Sequence, residues 1–440
     1  MRANPDHADA DRATSVPAAV DAVIVGAGAA GLSLACHLAA SWHGRSVLVV
    51  DDGAVPVEAR AWAYWSRGEH LLDPAAGIGV DHVLVRAPGL TRRLALGRYR
   101  YRTMSGPGLI RAVSTQVASA SASGVELVRG VVTSVTDEGA GARVGLILAG
   151  SPGSPRTVRA RWVFDSVGIG HRTSDVTAGP HLSFLGHRVE CDTDVFDPAT
   201  PTLMDFRTDQ AGGLSFVYVL PQTPRCALVE HTTFVVPGPP AAVPAPAPTP
   251  TVHAVAVDEY LSAVVGAGSW SVVGTEKGVI PLRTGRPAGP RGAVVPIGAR
   301  AGMVRASTGY GFERMQRHAR AITDSLTRWG HPYDVAAPSA WFALLDRWLL
   351  AVVRDEPEVA RRVFARLFVA NPPERVLAFL DEDLGVVGQL TLCTSLPVAP
   401  FVRAAVRHLT RPRTRRRRAP VPTLARPLRQ DGSDPGTTHP

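Results

Sequence analysis

The sequence predicts an α/β fold: a βαβ unit near its start, a β-rich insertion in the middle and a helical region towards its end. Three observations carry this. Asp21–Val25 and Ser46–Val50 are short apolar runs of strand type on either side of a helical stretch, Leu32–Ala40. Residues 181–282 are dominated by strand signals, among them His181–Glu190, Leu214–Leu220 and Cys226–Phe234. From about residue 335 to 408 helical composition takes over, broken by Pro372-Pro373 and Pro397.

Between the first strand and its helix lies Gly26-Ala27-Gly28-Ala29-Ala30-Gly31. Gly26 permits the tight turn, Gly28 lets a backbone approach a diphosphate, and Gly31 allows helix and strand to pack closely. The amides opening the helix, with the positive end of its dipole, then face the phosphates. Asp51 and Asp52 end the second strand, where a carboxylate accepts from ribose hydroxyls. This is a Rossmann-type unit. FAD is favoured over NAD by the position of the unit, by Arg60 soon after the acidic strand end, and by a second glycine cluster. There, Ala293–Ile297 reads as a strand ending at Gly298, and Ser307-Thr308-Gly309-Tyr310-Gly311 opens a helix expected to run from Thr308 to Trp329. Asp165, closing the strand Val158–Ser166, joins the cofactor candidates. The expected architecture is a glutathione-reductase-like flavoprotein. Residues 1–20 form a disordered leader, 21–180 and 283–330 the cofactor domain, and 181–282 an inserted mixed-sheet substrate domain with a Pro-rich loop at 237–250. Residues 331–408 form a helical region and 409–440 a basic disordered tail.

The net charge of +9 suggests an anionic partner, but it is concentrated at one end. Residues 403–440 hold ten arginines against Asp431 and Asp434, leaving the rest nearly neutral. Arg411–Arg418 reads as a tether to anionic lipid. No fold signature or aromatic interleaving supports nucleic-acid binding. The four cysteines, Cys36, Cys191, Cys226 and Cys393, are widely spaced and read as reduced thiols of a cytoplasmic protein, with no metal site. The first twenty residues lack the apolar core of a signal peptide, and no apolar run is long enough to span a bilayer.

Further motifs follow in order. They are Arg60-Ala-Trp62-Ala-Tyr64-Trp65, Leu203-Met-Asp205-Phe-Arg207, Phe216-Val-Tyr218-Val-Leu-Pro221, Glu276-x-Gly278-x-Ile280-Pro281 and Ser307-Thr-Gly309-Tyr310. Together with the glycine turn, they make residues 21–408 resemble the FAD-dependent lycopene cyclases of the bacterial and plant β-cyclase type. Three departures stand out. The family's paired acidic signature appears as Leu228-Val-Glu230-His231-Thr232, Leu182 replaces a glutamine before Phe184-x-Gly186, and Asp165-Ser-Val-Gly168 lacks the family's arginine.

The resemblance implies conversion of acyclic ψ ends of lycopene, or a related polyene, to β rings without net oxidation. It implies reduced FAD, kept reduced by NAD(P)H or another donor. Glu230 is the candidate acid–base residue and Glu276 the second; a carboxyl in a dry pocket has a raised pKa suited to moving a proton. His231 alternates with Glu230 along a strand and is expected on the opposite face. Trp62, Tyr64, Trp65, Tyr218 and Tyr310 are candidates for lining the polyene or facing a carbocation. A C40 hydrocarbon must be drawn from a bilayer, so peripheral attachment to the cytoplasmic membrane is expected. The helices around Trp341–Val353 and Phe364–Phe368 and the arginine tail are its candidates. The competing reading is a flavin monooxygenase acting on a hydrophobic substrate. It shares the glycine turn, but such families usually carry Gly-Asp where Gly298-Ala299 stands.

Overall fold

The computed structural model describes residues 16–68, 70–119, 124–168, 177–238 and 247–410. The expected leader (apart from residues 16–20), the tip of the Pro-rich loop and the arginine tail lie outside them.

The chain opens with β1 (Ala19–Val25), α1 (Ala29–Ser41) and β2 (Ser46–Asp51). Both strands are buried along most of their length because helices or other strands cover both faces, which explains their unbroken apolar sequence. Helix α1 is buried from Ala30 to Ala39, and its small residues suit a helix wedged between layers. Next come β3 (Ala61–Ser66), the hairpin β4 (His82–Ala87) and β5 (Leu90–Ala95), and β6 (Arg100–Ser105), which returns to pair antiparallel with β3. Helix α2 (Gly106–Ser119) then leads into β7 (Gly124–Asp137), β8 (Ala142–Leu148) and β9 (Pro155–Asp165).

A second run of strands follows: β10 (His181–Cys191), β11 (Thr202–Asp205), β12 (Ser215–Pro221) and β13 (Cys226–Val235). Helix α3 (Pro250–Tyr260), capped by the Thr249 hydroxyl, precedes β14 (Trp270–Pro281). The short β15 (Val294–Pro296) and α4 (Phe312–Trp329) return to the first unit. The chain finishes with α5 (Ala340–Asp355), α6 (Pro357–Ala370), α7 (Pro373–Leu380), α8 (Val386–Thr394) and α9 (Val398–Thr410). None of these helices is long and apolar enough to cross a membrane.

Two sheets organise the molecule. In the first, parallel pairings place β1 between β2 and β9, with β7 beyond β2 and β15 beyond β9. The far halves of β7 and β9 leave this layer and pair antiparallel with β8. In the second, the order is β14-β10-β13-β12-β11-β4-β5. All its pairings are antiparallel except β4 with β11, so the sheet is mixed, as expected. The hairpin β4–β5 falls within residues 21–180, which the sequence assigned to the cofactor domain, yet its backbone extends the second sheet. The segment is thus shared between the two layers.

One face of the second sheet packs on the C-terminal helices. Phe206, Phe216 and Phe234 meet Phe364, Phe368, Leu350 and Val353 in one buried cluster. The segments Trp341–Val353 and Phe364–Phe368, expected to reach lipid, therefore turn most of their apolar side chains inward. The cause is the aromatic face of the sheet, whose burial of large rings outweighs exposure. The opposite face packs on α3 through Val217, Val229, Val257 and Tyr260. All four cysteines are free thiols, as expected.

Candidate active site

Gly26 turns the chain at φ +94°, a left-handed conformation that glycine tolerates. A Cβ on Gly31 would lie 1.9 Å from the Gly26 carbonyl oxygen, so the close approach of helix to turn requires glycine there. A Cβ on Gly28 would meet no protein atom within 4 Å, so the outer side of the turn is open. Helix α1 starts after Gly28 with no side-chain cap and no acidic residue in its first turn, leaving Ala29 and Ala30 at an uncapped, positive helix end. Asp51 braces this turn: its carboxylate accepts from Ala27 N at 2.7 Å and Gly53 N at 2.8 Å, and Arg129 pairs with it at 3.2 Å. Asp52 is exposed and accepts from Ala54 N.

The second glycine cluster comes to the same place. A Cβ on Gly298 would lie 2.8 Å from that of Ala30, and Gln316 on α4 hydrogen-bonds to Ser33 on α1, so the two helices begin side by side. Helix α4 begins at Phe312, four residues later than the sequence suggests. Gly309, at φ +79°, and Gly311 hold Ser307–Tyr310 in a turn instead. Arg305 anchors that turn. Its carbonyl accepts from Gly309 N, its amide donates to the Tyr310 carbonyl, and its buried guanidinium pairs with Asp346 at 3.1 Å and Glu382 at 3.0 Å. Ser307 accepts from Arg305, while Thr308 and Tyr310 face the cavity. Asp165 is committed to its own turn: it accepts from Val167 N and Gly168 N and pairs with Arg300 at 3.3 Å.

Beside the turn lies a cavity of about 160 Å³. Glu230 on β13 and Glu276 on β14 both enter it, although 46 residues separate them in sequence. The register explains the meeting: each stands directly opposite Gly186 on the intervening β10. A Cβ on Gly186 would come within 3.1 Å of the Glu230 Cβ and 2.9 Å of Leu228. Glycine at this position lets two carboxyls on non-adjacent strands reach each other over the strand between.

The two carboxyls line one cavity on either side of Gly186, and each acts on the other's proton affinity. Burial, then the neighbouring Glu276, raises the Glu230 pKa well above the ordinary carboxylate range. Burial also raises that of Glu276, but Arg188, at 3.0 Å, and Arg60 oppose the rise. Burial thus favours the protonated form of both groups, and the two arginines favour charge on Glu276. Thr232 donates to Glu230 at 3.1 Å and fixes its orientation. Arg60 lines the same cavity; burial lowers its pKa, and the charges of Glu276 and Asp51 oppose that shift.

Aromatic rings form much of the wall. Trp62, Tyr218, Tyr310 and Phe312 line the cavity. Tyr218 meets Tyr310 edge-on at 6.3 Å between centroids. Trp65 stands behind Tyr310 at 4.6 Å, and Tyr64 turns its hydroxyl to buried Asp73 at 2.8 Å. Of the aromatic candidates, Trp62, Tyr218 and Tyr310 thus reach the cavity, and the other two support its wall. A second cavity, of about 880 Å³, shares Phe184, Lys277 and Val279 with the first and extends to Pro237, Arg354 and Pro357. Lys277 is the single lysine of the chain.

His231 points to the other face of the sheet. Its Nδ1 lies 2.7 Å from His253 Nδ1 on α3, and His253 Nε2 lies 3.0 Å from the Ser183 hydroxyl. Burial lowers the His231 pKa to about 4. Arg188 and Phe312 lie outside the motifs and carry no local signal, while Thr232 and Lys277 fall inside two of them without being marked as site residues. Gly186 was marked only as part of Phe-x-Gly; its spacing from Phe184 was visible, but its place between two glutamates depends on register.

A sequence profile described as lycopene cyclase protein matches residues 21–406. The chain is similar to a lycopene beta-cyclase of Paracoccus sp. (strain N81106 / MBIC 01143), 25% identical over 419 residues that cover 87% of this chain and 95% of the relative. It is similar to another of Pseudescherichia vulneris, 25% identical over 412 residues that cover 88% and 97%. Among solved structures, its fold resembles a flavoprotein/dehydrogenase from Cytophaga hutchinsonii, with TM-score 0.58, 12% identity and coverage of 89% and 99%. It also resembles a geranylgeranyl bacteriochlorophyll reductase-like protein from Thermoplasma acidophilum, with TM-score 0.54, 13% identity and coverage of 88% and 96%. The architecture is that of the glutathione-reductase-like flavoproteins, and the chain belongs to the lycopene cyclase family.

Proposed function

We propose that this chain is an FAD-dependent lycopene β-cyclase, an isomerase that closes a ψ end of lycopene or a related acyclic polyene into a β ring for carotenoid biosynthesis. The observation that carries this reading is the carboxyl pair brought into one cavity opposite Gly186, which we read as sharing a single proton. β-Cyclisation consumes one proton and releases one, so a pair sharing one proton has the stoichiometry the reaction needs.

Glu230 donates its proton to C2 of the ψ end, leaving a tertiary cation at C1. The C5=C6 π pair then forms the C1–C6 bond and moves the charge to C5. Glu276 removes the C6 proton, whose electrons become the ring C5=C6 bond, and returns it to Glu230. Each proton given is recovered. Glu276 and the rings of Trp62 and Tyr218 stabilise the passing cation, and the aromatic wall with bound substrate limits the water that would otherwise trap it. Arg188 and Arg60 keep Glu276 ionised at rest.

The residues at the glycine turns fit a dinucleotide. Gly26, Gly28, Ala29, Ala30 and Gly31 would hold its diphosphate, Asp51 and Asp52 the ribose side, and Gly298 with Ser307–Tyr310 the approach to the ring. Arg60 would stand between cofactor and carboxyls, and Asp165 would hold the turn beside them. FAD held there in its reduced form, with NAD(P)H as electron source, would supply negative charge and π density that favour a cation. The substrate resides in lipid, so the enzyme works peripherally at the cytoplasmic membrane.

Expression in a host that accumulates lycopene, followed by pigment analysis, tests the assignment. Cyclic product is expected, and it should form without O₂, unlike the product of a monooxygenase. A culture that remains red while containing flavin-loaded protein overturns the substrate assignment.

A further inference from the structure

Helices α8 and α9 present an apolar surface that the fold leaves uncovered. On α8, Val386, Val387 and Leu390 are 71%, 79% and 60% exposed, and Leu392 is its one residue in the buried class. On α9, Val398 and Val402, one turn apart, are each 52% exposed, while Pro400 and Ala404 fill the inward side. The helix therefore shows these valines to solvent beside the exposed Arg403 and Arg407. Trp341 belongs to the same patch: it is 45% exposed and its indole N–H donates to Gln389 on α8 at 2.9 Å. No ionisable group other than the Cys393 thiol occurs from Leu384 to Val402. A surface helix of a protein that meets only water ordinarily carries charge on its outer face.

Two further observations identify what covers the patch. Basic residues follow it directly in sequence: Arg411, Arg413 and Arg415–Arg418 continue from the end of α9. Moreover, α9 is tied to the rim of the larger cavity. Arg403 pairs with Glu356 at 2.6 Å and Arg407 with Asp355 at 2.7 Å, at the α5–α6 junction where Arg354 and Pro357 line that cavity. An apolar face, a tryptophan at its edge and an adjacent run of positive charge are the features of a segment lying in the boundary of an anionic bilayer.

We infer that the α8–α9 pair, with Trp341 at the start of α5 and not the inward-facing remainder of α5 and α6, is the surface by which this protein docks on an anionic lipid bilayer. Docking through this face brings the rim of the larger cavity to the lipid, where a hydrocarbon substrate is dissolved. The inference rests on the proposed cyclase reading for the reason to dock, but the surface itself stands on exposure and charge.

The test is co-sedimentation of the flavin-loaded full chain with vesicles of phosphatidylglycerol and phosphatidylcholine. Val387→Asp with Leu390→Asp, and separately Val398→Asp with Val402→Asp, should each lower vesicle binding by about tenfold or more. Cyclisation of detergent-solubilised lycopene should be unchanged. Truncation after Thr410 should weaken binding and remove its dependence on anionic lipid and salt. Binding that survives substitution on both helices overturns the inference. So does a wild-type dimer in solution that the same substitutions convert to monomer. Loss of cyclisation in detergent by wild type itself would count against the cyclase reading and leave the vesicle result standing.

Discussion

The two faces of the second sheet put titratable pairs in similarly dry surroundings and obtain opposite chemistry. On one face burial raises Glu230 and Glu276; on the other it lowers His231 and His253. In both cases a low-dielectric setting favours the neutral form, which means holding the proton for an acid and losing it for a base. The difference lies in the neighbours. Arg188 and Arg60 favour a negative charge on Glu276, whereas His231 has only the weaker pull of Asp209, set against burial and the neighbouring His253. On the proposed reading, a buried pair becomes reactive only where an external charge breaks its symmetry.

The largest effect that would sharpen this comparison is expected from Glu230→Gln. It removes the acid while preserving shape, and pigment formation should fall about a hundred- to ten-thousandfold with flavin binding retained. Unchanged product would remove Glu230 from the reaction.

Gly186→Ala comes next. The added methyl presses on the Glu230 Cβ and Leu228 and parts the two carboxyls, so cyclisation should fall about ten- to a hundredfold, with little change in thermal stability outside this strand.

The pH profile supplies a third test. Below the raised pKa of Glu276 the pair carries two protons and lacks a base; above that of Glu230 it carries none and lacks an acid. The profile of kcat should therefore be bell-shaped. Arg188→Met withdraws the nearest positive charge and should move the acid limb upward by about one pH unit or more. An unmoved limb would show that Arg188 does not set the charge on Glu276.

The smallest effect belongs to the reverse face. His231→Asn should alter cyclisation by less than about twofold, because the faces share no polar partner. It should act on stability instead. The folded-state pKa of His231 is lowered from 6.5 to about 4, so between those values the unfolded chain binds more protons and stability falls as pH falls. In the variant, the slope of Tm against pH in that window should flatten.

Much of the glycine-turn unit was legible because its physics is local. The positive φ of Gly26 and the approach of Gly31 to the Gly26 carbonyl arise within six residues, and the strands and helix around them lie within a few turns. Glu230 and Glu276 were each visible as candidates, but their partnership was not. It arises from the pairing of β10 with both β13 and β14, and a one-residue slip would turn either carboxyl to the other face. The alternation that sends His231 away from Glu230 needed no partner strand and was foreseeable. The parallel joining of β4 to β11, which carries an early hairpin into the second sheet, was not. The apolar segments of α5 and α6 looked like lipid contacts because composition does not distinguish burial inside a protein from burial outside it. Only the aromatic face opposite them decides.

Lys277 has a practical consequence. A chain of 440 residues with one lysine offers amine-reactive reagents a single ε-amino target beside its terminal α-amine, and that target sits on the rim shared by the two cavities. Mild acylation followed by mass measurement thus becomes a footprint of that rim. Protection of one amine, titrated against added pigment, would count occupied molecules without any need to follow colour or turnover.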